Sequence, residues 1–474
     1  MTTPRSILLV NPSLWAGYRG TWFGRFVELL PPQNLLAVAA PLVAAGHHVR
    51  VVDLSLAADG ERALAASLRE RAPDVVGLTF LSPQEGQVAP LVRMVRERAP
   101  TARLWLGGVG PTVDPAGVAR RLAPDALVIG EGDTTLARAL DASPDLDDPP
   151  PGAAWVRDGV LLQGPLQPLQ DDLDELPLPA LELVRARDYA RGRRGAAAPI
   201  ETSRGCVYLC TFCTKAVFGG RFRVKSPARV AREMLRIRDL GYAEAVVYDD
   251  TFNLSMRRAR EVADKLIAAG SPLPWNCRVG IRADRVDADL LERMRAAGCY
   301  RVSFGVESGD QAVLDSAKKG TEVNDVAHAF ALAERAGIET MAFYILGLPT
   351  DTPASMRATA RYSHRIASTF AKFNVFMPLP STPDWDDFER RGLLAPDAAA
   401  RLDFHRVGDG WRHPTLTPRQ IRRAHTRAFL AYYAHPRRLA RALRAWLRRP
   451  GTRRSPDPSW RVGAPSPARL STPA

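Results

Sequence analysis

The stretch "RGCVYLCTFCTK", from Arg204 to Lys215, holds three of the chain's five cysteines within eight residues. Cys206, Cys210 and Cys213 follow the spacing C-x3-C-x2-C, directly after a run that has the length and composition of a β-strand. Thiolates are soft ligands that suit zinc or iron–sulfur clusters. A structural zinc site is normally closed by four ligands, and this loop offers no fourth cysteine or histidine. The spacing therefore predicts a metal site with one position left open.

Zinc and a buried structural group of cysteines remain alternatives on spacing alone. Cys277 and Cys299 each lie in or beside a predicted interior strand, so neither is expected to complete the site. The favoured hypothesis is a cubane iron–sulfur cluster with one iron open to a substrate or cofactor.

The composition is that of a globular protein, with 474 residues, 46% hydrophobic and 24% charged. The length suggests roughly two to four domains. We find no apolar run of about 18 residues or more, which a membrane-spanning helix would need, and the N-terminal apolar stretch is too short for a secretory signal. An odd, clustered set of cysteines is not a disulfide framework, so a cytoplasmic location is predicted.

The net charge of +14 is concentrated near the C-terminus. Residues 435–454, "HPRRLARALRAWLRRPGTRR", contain eight arginines and no acidic residue. The rest of the chain is only mildly basic, so nucleic acid is not an expected partner.

The first 145 residues alternate strand-length apolar runs with helical patterns, which predicts an α/β domain with a doubly wound parallel sheet. Residues 146–192 are rich in Asp and Pro and are predicted to be a linker, with a short hairpin around "AAWVRDGVLLQG". Strand and helix patterns alternate again over 193–385, which predicts a partial or full βα barrel with its active site at the carboxyl ends of the strands. Residues 386–450 are predicted to be mostly helical, and 451–474 to be a disordered tail.

The cysteine spacing, with Phe212 before the last cysteine, is the signature of radical S-adenosylmethionine (SAM) enzymes, and residues 196–380 resemble that superfamily. The similarity includes "DDTFNL" (249–254), "FGVESGD" (304–310) and "ILGLPTDT" (345–352), each at a predicted strand end. The resemblance implies one 4Fe-4S cluster held by Cys206, Cys210 and Cys213. It also implies that SAM chelates the open iron and is cleaved to a 5′-deoxyadenosyl radical.

The same resemblance implies six SAM contacts at strand ends: Asp249 and Asp250 at the amino group, Glu307 and Ser308 at the ribose and methionine portions, and Gly347 and Pro349 at the adenine. By residue type alone, the two aspartates are equally a strand exit or a helix cap. The Gly347–Pro349 segment is equally a plain turn. Arg282 leaves a predicted barrel strand and could pair with a carboxylate, although a surface position is the favoured interpretation.

Residues 1–145 resemble the cobalamin-binding domain that precedes many radical SAM cores, through "LLVNPS", "LWLGGVGPT" and "VIGEGD". The resemblance implies cobalamin contacts at two strand exits, Gly107-Gly108 and Gly130-Glu131-Gly132. Ordinary turns in a domain that binds nothing are the alternative.

The motif D-x-H-x-x-G, whose histidine ligates cobalt in many cobalamin proteins, does not occur within residues 1–145. His47 and His48 precede a predicted strand at its amino end, away from the expected ligand edge, and are expected to be solvent or turn residues. The resemblance therefore implies base-off cobalamin without a protein histidine ligand.

The C-terminal pattern places Leu439, Leu443 and Trp446 or Leu447 on one face of a basic helix. Packing against the barrel with a solvated basic face is the favoured interpretation, and peripheral contact with an anionic membrane is the alternative.

The leading functional hypothesis is a cobalamin-dependent radical SAM enzyme that methylates an unactivated carbon of a specialised-metabolite or lipid-like substrate. One SAM would supply the radical, and a second would supply the methyl group that cobalamin carries. The same cofactors could instead serve a cyclisation, rearrangement or oxidation. A zinc-binding, RNA-associated protein is the remote alternative. The expected partners are a small-molecule substrate and an external electron donor.

Overall fold

The computed structural model describes residues 3–13, 28–141, 148–157, 160–190, 195–366, 368–404 and 406–447. This part of the chain contains two largely parallel sheets. The strands of the first sheet are β1 (Ser6–Asn11), β2 (His48–Asp53), β3 (Val75–Thr79), β4 (Arg103–Gly107), β5 (Ala126–Val128), β6 (Ala153–Arg157) and β7 (Val160–Gln163). They lie in the order β2-β1-β3-β4-β5-β6-β7, with β1 to β5 parallel and β6 and β7 antiparallel.

Helices cover both faces of this sheet because its strands bury side chains on both sides. Leu8 and Val10 of β1 point into one apolar core, and Ile7 and Leu9 point into another. The covering helices are α1 (Gln33–Ala44), α2 (Gly60–Glu70), α3 (Glu85–Arg98), α4 (Val109–Val113), α5 (Pro115–Leu122) and α6 (Thr135–Asp141). The predicted doubly wound α/β domain is confirmed. Strand order reverses at β1, which places the ligand crevice at the carboxyl ends of β1 and β3.

The predicted linker begins with two strands of the first sheet. β6 pairs with β5, and β7 pairs with β6, so the expected hairpin is present and the sheet extends to Gln163 rather than ending at 145. The following segment then runs back along the first domain. The Ala180 N–H donates to the Leu36 carbonyl at 2.9 Å, and the Tyr189 hydroxyl donates to Asp53 at 3.2 Å.

The second sheet has six parallel strands in the order β15-β14-β13-β12-β11-β8. These strands are β8 (Ala197–Ile200), β11 (Glu244–Val247), β12 (Trp275–Ile281), β13 (Cys299–Glu307), β14 (Glu339–Leu346) and β15 (Phe370–Val375). In the described residues β8 and β15 do not pair with each other, so the sheet is a partial barrel, one of the two predicted forms. The apolar runs "APIETSRG", "EAVVYDD", "PWNCRVGIR", "YRVSFGVES" and "ETMAFYILGLP" predict the other five strands, whereas β15 was not predicted. A separate short pair, β9 (Ser203–Arg204) and β10 (Arg223–Val224), is antiparallel.

Helices alternate with these strands and pack on the outer face of the sheet. They are α7 (Ala186–Tyr189), α8 (Pro227–Asp239), α9 (Met256–Ala268), α10 (Ala288–Ala296), α11 (Gln311–Ser316), α12 (Val323–Arg335) and α13 (Pro353–Ile366). Side chains of Ser226, Ser255 and Asp287 accept hydrogen bonds from backbone N–H groups in the first turns of α8, α9 and α10. Such N-caps explain why these helices begin where they do.

The C-terminal region is helical, as predicted, with α14 (Pro383–Arg390), α15 (Ala398–Arg401), α16 (Pro418–Ala434) and α17 (Pro436–Leu447). α16 covers the free edge of β15. The Tyr433 hydroxyl accepts from the Ala371 N–H at 3.1 Å and donates to the Ala371 carbonyl at 2.9 Å, so the outward backbone groups of this edge residue are satisfied. The predicted tail, 451–474, lies outside the described residues.

α17 packs against the rest of the protein, but not through the leucine face that the favoured interpretation predicted. Its Ala442 and Ala445 are buried, Arg438 bonds to His364, and Arg441 pairs with Glu334 at 3.0 Å. The leucine face is therefore the exposed one. Leu439, Leu443 and Leu447 are 45%, 50% and 64% exposed. Across the described segments, no helix combines the length and hydropathy that spanning a membrane requires.

Candidate functional site

The three clustered cysteines lie on one loop whose two ends are paired. β9 and β10 close residues 205–222 into a loop, with Arg204 opposite Arg223. Gly205 follows the first arm with a φ of +83°, and a Cβ there would lie 2.0 Å from the Arg221 carbonyl oxygen. Only glycine fits this crossing of the two arms, so the residue before Cys206 is dictated by the stem of the loop.

The loop lies over the carboxyl ends of the barrel strands. The Thr251 hydroxyl, beyond β11, is 3.5 Å from the Cys206 sulfur, and the Thr211 N–H donates at 3.0 Å to the carbonyl of Ala317, at the end of the short α11 that follows β13. Cys206 and Cys210 are partly buried and Cys213 is exposed. Cys277 and Cys299 are buried in β12 and β13, away from this loop in the sequence and the fold.

The thiols face a charged rim. Partial burial raises the pKa of the Cys210 thiol above its ordinary value, while the nearby Lys319 and Arg282 act in the opposite direction. A metal ligand must be a thiolate, so metal binding here would release protons. In the described residues no three His, Cys, Asp or Glu side chains are placed to hold a single metal ion. Three soft donors on one loop fit the ligand set of an iron–sulfur cluster.

Glu307 lies at the end of β13, at a register shift between β13 and β14. Its φ is +60°, which is unusual for a residue with a side chain. The buried carboxylate accepts a hydrogen bond from the Lys319 ammonium at 2.7 Å. Unfavourable backbone conformations of this kind concentrate at binding sites, and this one lies beside Cys210.

Asp249 and Asp250 face different surroundings, although they are adjacent in sequence. The buried Asp249 carboxylate accepts from the Thr202 N–H at 2.6 Å, the Thr202 hydroxyl at 2.5 Å and the Ser203 hydroxyl at 2.7 Å. Its described contacts are thus internal and hold the end of β8. Asp250 is exposed and accepts from the Gly205 N–H at 2.9 Å, next to the cysteine loop.

The remaining predicted SAM residues lie farther along the same edge. Ser308 is buried, and its hydroxyl bonds to the Thr359 hydroxyl and accepts from the Asp310 N–H. Gly347 has a φ of +83° and packs against Ile421 of α16, while its N–H donates to Asp351. Pro349 is partly buried two residues later in the same turn. In this structure Gly347 has the contacts of a plain turn, which was the alternative interpretation of this segment.

Arg282 is buried rather than on the surface, which corrects the favoured interpretation. Its guanidinium donates to Asp284 and to the carbonyls of Lys319 and Gly320, and it lies 3.4 Å over the Tyr208 ring of the cysteine loop. Tyr208 and Lys319 were not predicted from the sequence. Their position beside the thiols depends on contacts between distant segments, and no spacing pattern signals such contacts.

The two glycine-rich turns of the first domain meet at the carboxyl edge of its sheet. The Thr112 hydroxyl donates to the Gly108 carbonyl at 2.7 Å and accepts from the Gly130 N–H at 3.0 Å. Gly107 ends β4, and Gly132 packs close to Val128 and Val38. A Cβ on Gly130 would meet nothing within 4 Å, so this edge offers open space where a ligand could approach the backbone.

Glu131 lies between Gly130 and Gly132, and its side chain contacts the second domain. It is buried and forms ion pairs with Arg204 and Arg223 of the cysteine loop stem. Because these ion pairs engage the Glu131 carboxylate, the backbone of Glu131 is the part left for the cobalamin contact that the resemblance implies. The sequence shows each of these charged residues but gives no sign that they form ion pairs with one another.

The first domain's histidines lie at the other end of its sheet. His48 begins β2 and is exposed, as expected. His47 is buried, unlike the expected solvent or turn residue, and its Nδ1 accepts from the Arg5 N–H at 3.2 Å. Both are at the amino end of β2, opposite the turns that carry Gly108 and Gly130.

Two protein families match the chain. Residues 200–363 match the Radical SAM superfamily, and residues 23–140 match the B12 binding domain. The matches agree with the two resemblances found in the sequence, and they cover the cysteine loop and the glycine-rich edge, respectively.

Several named proteins are similar over most of the chain. An uncharacterized methyltransferase of Pyrococcus horikoshii is 26% identical over 91% of this chain and 93% of its own length. The cytidylyl-2-hydroxyethylphosphonate methyltransferase of Streptomyces wedmorensis is 27% identical over 83% of each chain. The anaerobic magnesium-protoporphyrin IX monomethyl ester cyclase of Cereibacter sphaeroides is 26% identical over 80% of this chain and 62% of its own.

Two solved structures share the fold. The radical SAM methyltransferase TsrM of Kitasatospora setae, solved with cobalamin and a [4Fe-4S] cluster, is 20% identical with a TM-score of 0.68 over 84% of this chain and 80% of its own. The cobalamin-dependent SAM radical enzyme OxsB is 16% identical with a TM-score of 0.73 over 94% of this chain and 71% of its own. The arrangement of an N-terminal sheet, a partial barrel and a helical C-terminal region is thus shared.

Proposed function

Because the chain is a radical SAM enzyme with a B12-binding domain, we propose that it transfers a methyl group from SAM, through cobalamin, to an unactivated carbon of a small molecule. The observation that carries this proposal is the placement of the cysteine loop. It lies at the carboxyl ends of the barrel strands, and its stem contacts the glycine-rich edge of the first domain through Arg204 and Asp133 at 2.7 Å.

The proposed cofactor residues lie on those two edges. Cys206, Cys210 and Cys213 would hold a 4Fe-4S cluster. Glu307 and Asp250, which border the cysteine loop, are the best-placed of the predicted SAM residues. A bound cluster would supply the electron that cleaves SAM, after reduction by an external electron donor. The chain's own part is to orient SAM beside the thiols and to exclude water with the loop.

The proposed cobalamin contacts are the backbones of Gly107, Gly108, Gly130 and Gly132. Because His47 and His48 lie at the opposite end of the sheet, we propose base-off cobalamin with no protein histidine ligand. Bound cobalamin would supply a carrier for the methyl group. The Thr112 hydroxyl, which bonds to both turns, would fix the edge that holds the cofactor.

The substrate is proposed to be a small molecule rather than a nucleic acid, because relatives named as methyltransferases include one for a cytidylyl phosphonate. Transfer is tested with SAM labelled on its methyl group. Anaerobically reconstituted protein and its substrate should yield labelled product, and S-adenosylhomocysteine should accumulate together with 5′-deoxyadenosine.

The similarity to a magnesium-protoporphyrin cyclase favours a second candidate, a cyclisation with the same cofactors. 5′-Deoxyadenosine without S-adenosylhomocysteine, in the presence of product, would establish that candidate instead.

We also propose that the exposed face of α17 contacts an anionic membrane surface. Leu439, Leu443 and Leu447 follow one another at four-residue intervals, so they form an apolar stripe along the helix. Arg437 and Arg444 are exposed beside this stripe. An apolar face with flanking arginines is the pattern of a helix that lies in the interface of a bilayer with anionic lipids.

Replacing Leu439 and Leu443 with serine should weaken binding to vesicles that contain phosphatidylglycerol by at least about tenfold, because each inserted leucine contributes about 1.5–3 kcal/mol. Co-sedimentation measures the effect. Leu166→Ser is the matched control, because Leu166 is 77% exposed and lies outside α17. Wild-type protein that does not sediment with these vesicles, or a double variant that sediments equally well, would contradict the proposal.

A further inference from the structure

The first domain contacts both arms of the cysteine loop through one set of buried charges. We call Glu131, Asp133, Glu201, Arg204 and Arg223 the interdomain ion network. Glu131 and Asp133 follow β5 of the first sheet, whereas the other three residues flank the cysteine loop in the second domain. Arg204 and Arg223 are register partners in the stem, and both guanidinium groups pair with Glu131.

Arg204 is the centre of this network. Its guanidinium donates to the two Asp133 carboxylate oxygens at 2.7 and 3.0 Å and to Glu201 at 2.6 Å, and it lies 3.4 Å from Glu131. Arg223 also donates to the Gln170 carbonyl at 2.8 Å. Every side chain of the network is less than a fifth exposed. The bidentate pair fixes the orientation of the Arg204 fork as well as its distance.

Burial of these charges is not explained by stability alone. Removing charged groups from water is costly, and a buried ion pair often contributes no more than an apolar pair of the same shape. The best-attested role of such groups is to specify one register among alternatives. In this protein the network joins the turn at 130–133 to the stem of the cysteine loop. The alignment that it would specify is therefore the position of this turn relative to the stem.

The network lies between the two proposed cofactor edges. On one side, Asp133 and Glu131 belong to the turn that begins with Gly130, beside the open space at the edge of the first sheet. On the other side, Arg204 is bonded to Gly205, whose N–H donates to Asp250 and which precedes Cys206. A displacement of the turn would therefore move the stem of the cysteine loop directly.

We propose that Arg204 is a positioning residue through which the interdomain ion network couples occupancy of the cobalamin edge to the geometry of the cysteine loop. The inference rests on the proposed function, because it takes the glycine-rich edge as the cobalamin site. Coupling between two binding sites is reciprocal. Reconstitution of the iron–sulfur cluster should therefore tighten cobalamin binding by the same factor by which cobalamin favours the reconstituted loop.

The test compares the affinity for hydroxocobalamin, followed by absorbance, in full-length protein with and without a reconstituted cluster. Wild-type protein should bind at least about fivefold more tightly with the cluster present, which is the lower end of typical coupling factors. Asp133→Asn removes the charge of the bidentate partner and should bring this ratio close to unity, while each cofactor still binds alone. Arg204→Lys keeps the charge but loses the forked guanidinium, so it should also bring the affinity ratio close to unity. It serves as the test if Asp133→Asn does not fold.

Asp114→Asn is the matched control, because Asp114 pairs with Arg121 at 2.8 Å entirely within the first domain. It should leave the ratio unchanged. Equal affinities in wild-type protein, or a ratio that survives both network variants, would overturn the inference. A purely structural role would lower both affinities and leave their ratio intact.

Hydrogen exchange of the segment 205–222 separates this inference from the proposed function, because it needs no cofactor. In protein free of cofactors, Asp133→Asn should raise exchange in this segment at least about fivefold relative to Asp114→Asn, by the same coupling range. If cobalamin does not bind at all, the proposed function fails and this measurement decides the mechanical link by itself. Equal exchange in the two variants would overturn the inference.

Discussion

Cys206→Ala, Cys210→Ala and Cys213→Ala should each abolish release of 5′-deoxyadenosine and remove most of the iron after anaerobic reconstitution. Each thiol is one of three proposed protein ligands, and iron–sulfur clusters depend on thiolate ligation. The sulfurs lie on a single loop whose described side chains provide no further cysteine. A lost ligand therefore has no nearby replacement. Iron and labile sulfide per chain, together with SAM cleavage, measure the effect.

The two other cysteines provide the matched controls. Cys277 and Cys299 are buried in neighbouring strands, where burial and the contact with Cys299 raise the pKa of the Cys277 thiol well above its ordinary value. Alanine at either position should leave iron content unchanged and affect only packing. Normal SAM cleavage by any one of the three loop variants would disprove the ligand assignment.

Asp249→Ala should lower the free energy of unfolding by about 3 kcal/mol. The carboxylate is buried and accepts from the Thr202 N–H and from the hydroxyls of Thr202 and Ser203. Leaving a buried donor unsatisfied costs about 1–3 kcal/mol, and two or more donors are affected here. The urea midpoint, measured with an unchanged slope, reports the loss. Asp239→Ala, at an exposed acid on α8, should stay within about 0.5 kcal/mol of wild type.

SAM affinity separates the structural role of Asp249 from the proposed binding role of Glu307. Folded Asp249→Ala should bind SAM as wild type does. Glu307→Gln should weaken binding roughly ten- to hundredfold, because a hydrogen bond to a charged group contributes about 1.5–3 kcal/mol. Isothermal titration with reconstituted protein measures both affinities. A weaker affinity in Asp249→Ala alone would reverse the two assignments.

The architecture was predictable because it depends on local periodicity. Runs such as "SILLVNP" and "DVVGLTFL" have the length and composition of buried parallel strands, and the sheets contain them as β1 and β3. β15 was missed because "FAKFNV" alternates around Lys372, whose exposed side chain interrupts the apolar signal.

The candidate site was predictable only where the motif itself carries the chemistry. The three cysteines are close in sequence, so their spacing alone places them on one loop. Asp249 and Glu131 occur in the expected motifs, but their partners Thr202, Arg204 and Arg223 come from other segments. Residue type gave no means to distinguish a ligand contact from an internal ion pair. The orientation of α17 was mistaken for a related reason, since Ala442 and Ala445 allow closer packing than the leucines do.

The cofactor content of anaerobically reconstituted protein tests the proposed function most directly. We expect about four iron and four labile sulfide per chain, as one cubane cluster requires, and one cobalamin per chain. The cob(II)alamin spectrum should lack coupling to an axial nitrogen and should be unchanged in His47→Ala and His48→Ala. One zinc without sulfide, a cluster without any cobalamin, or a nitrogen coupling that depends on either histidine would contradict it.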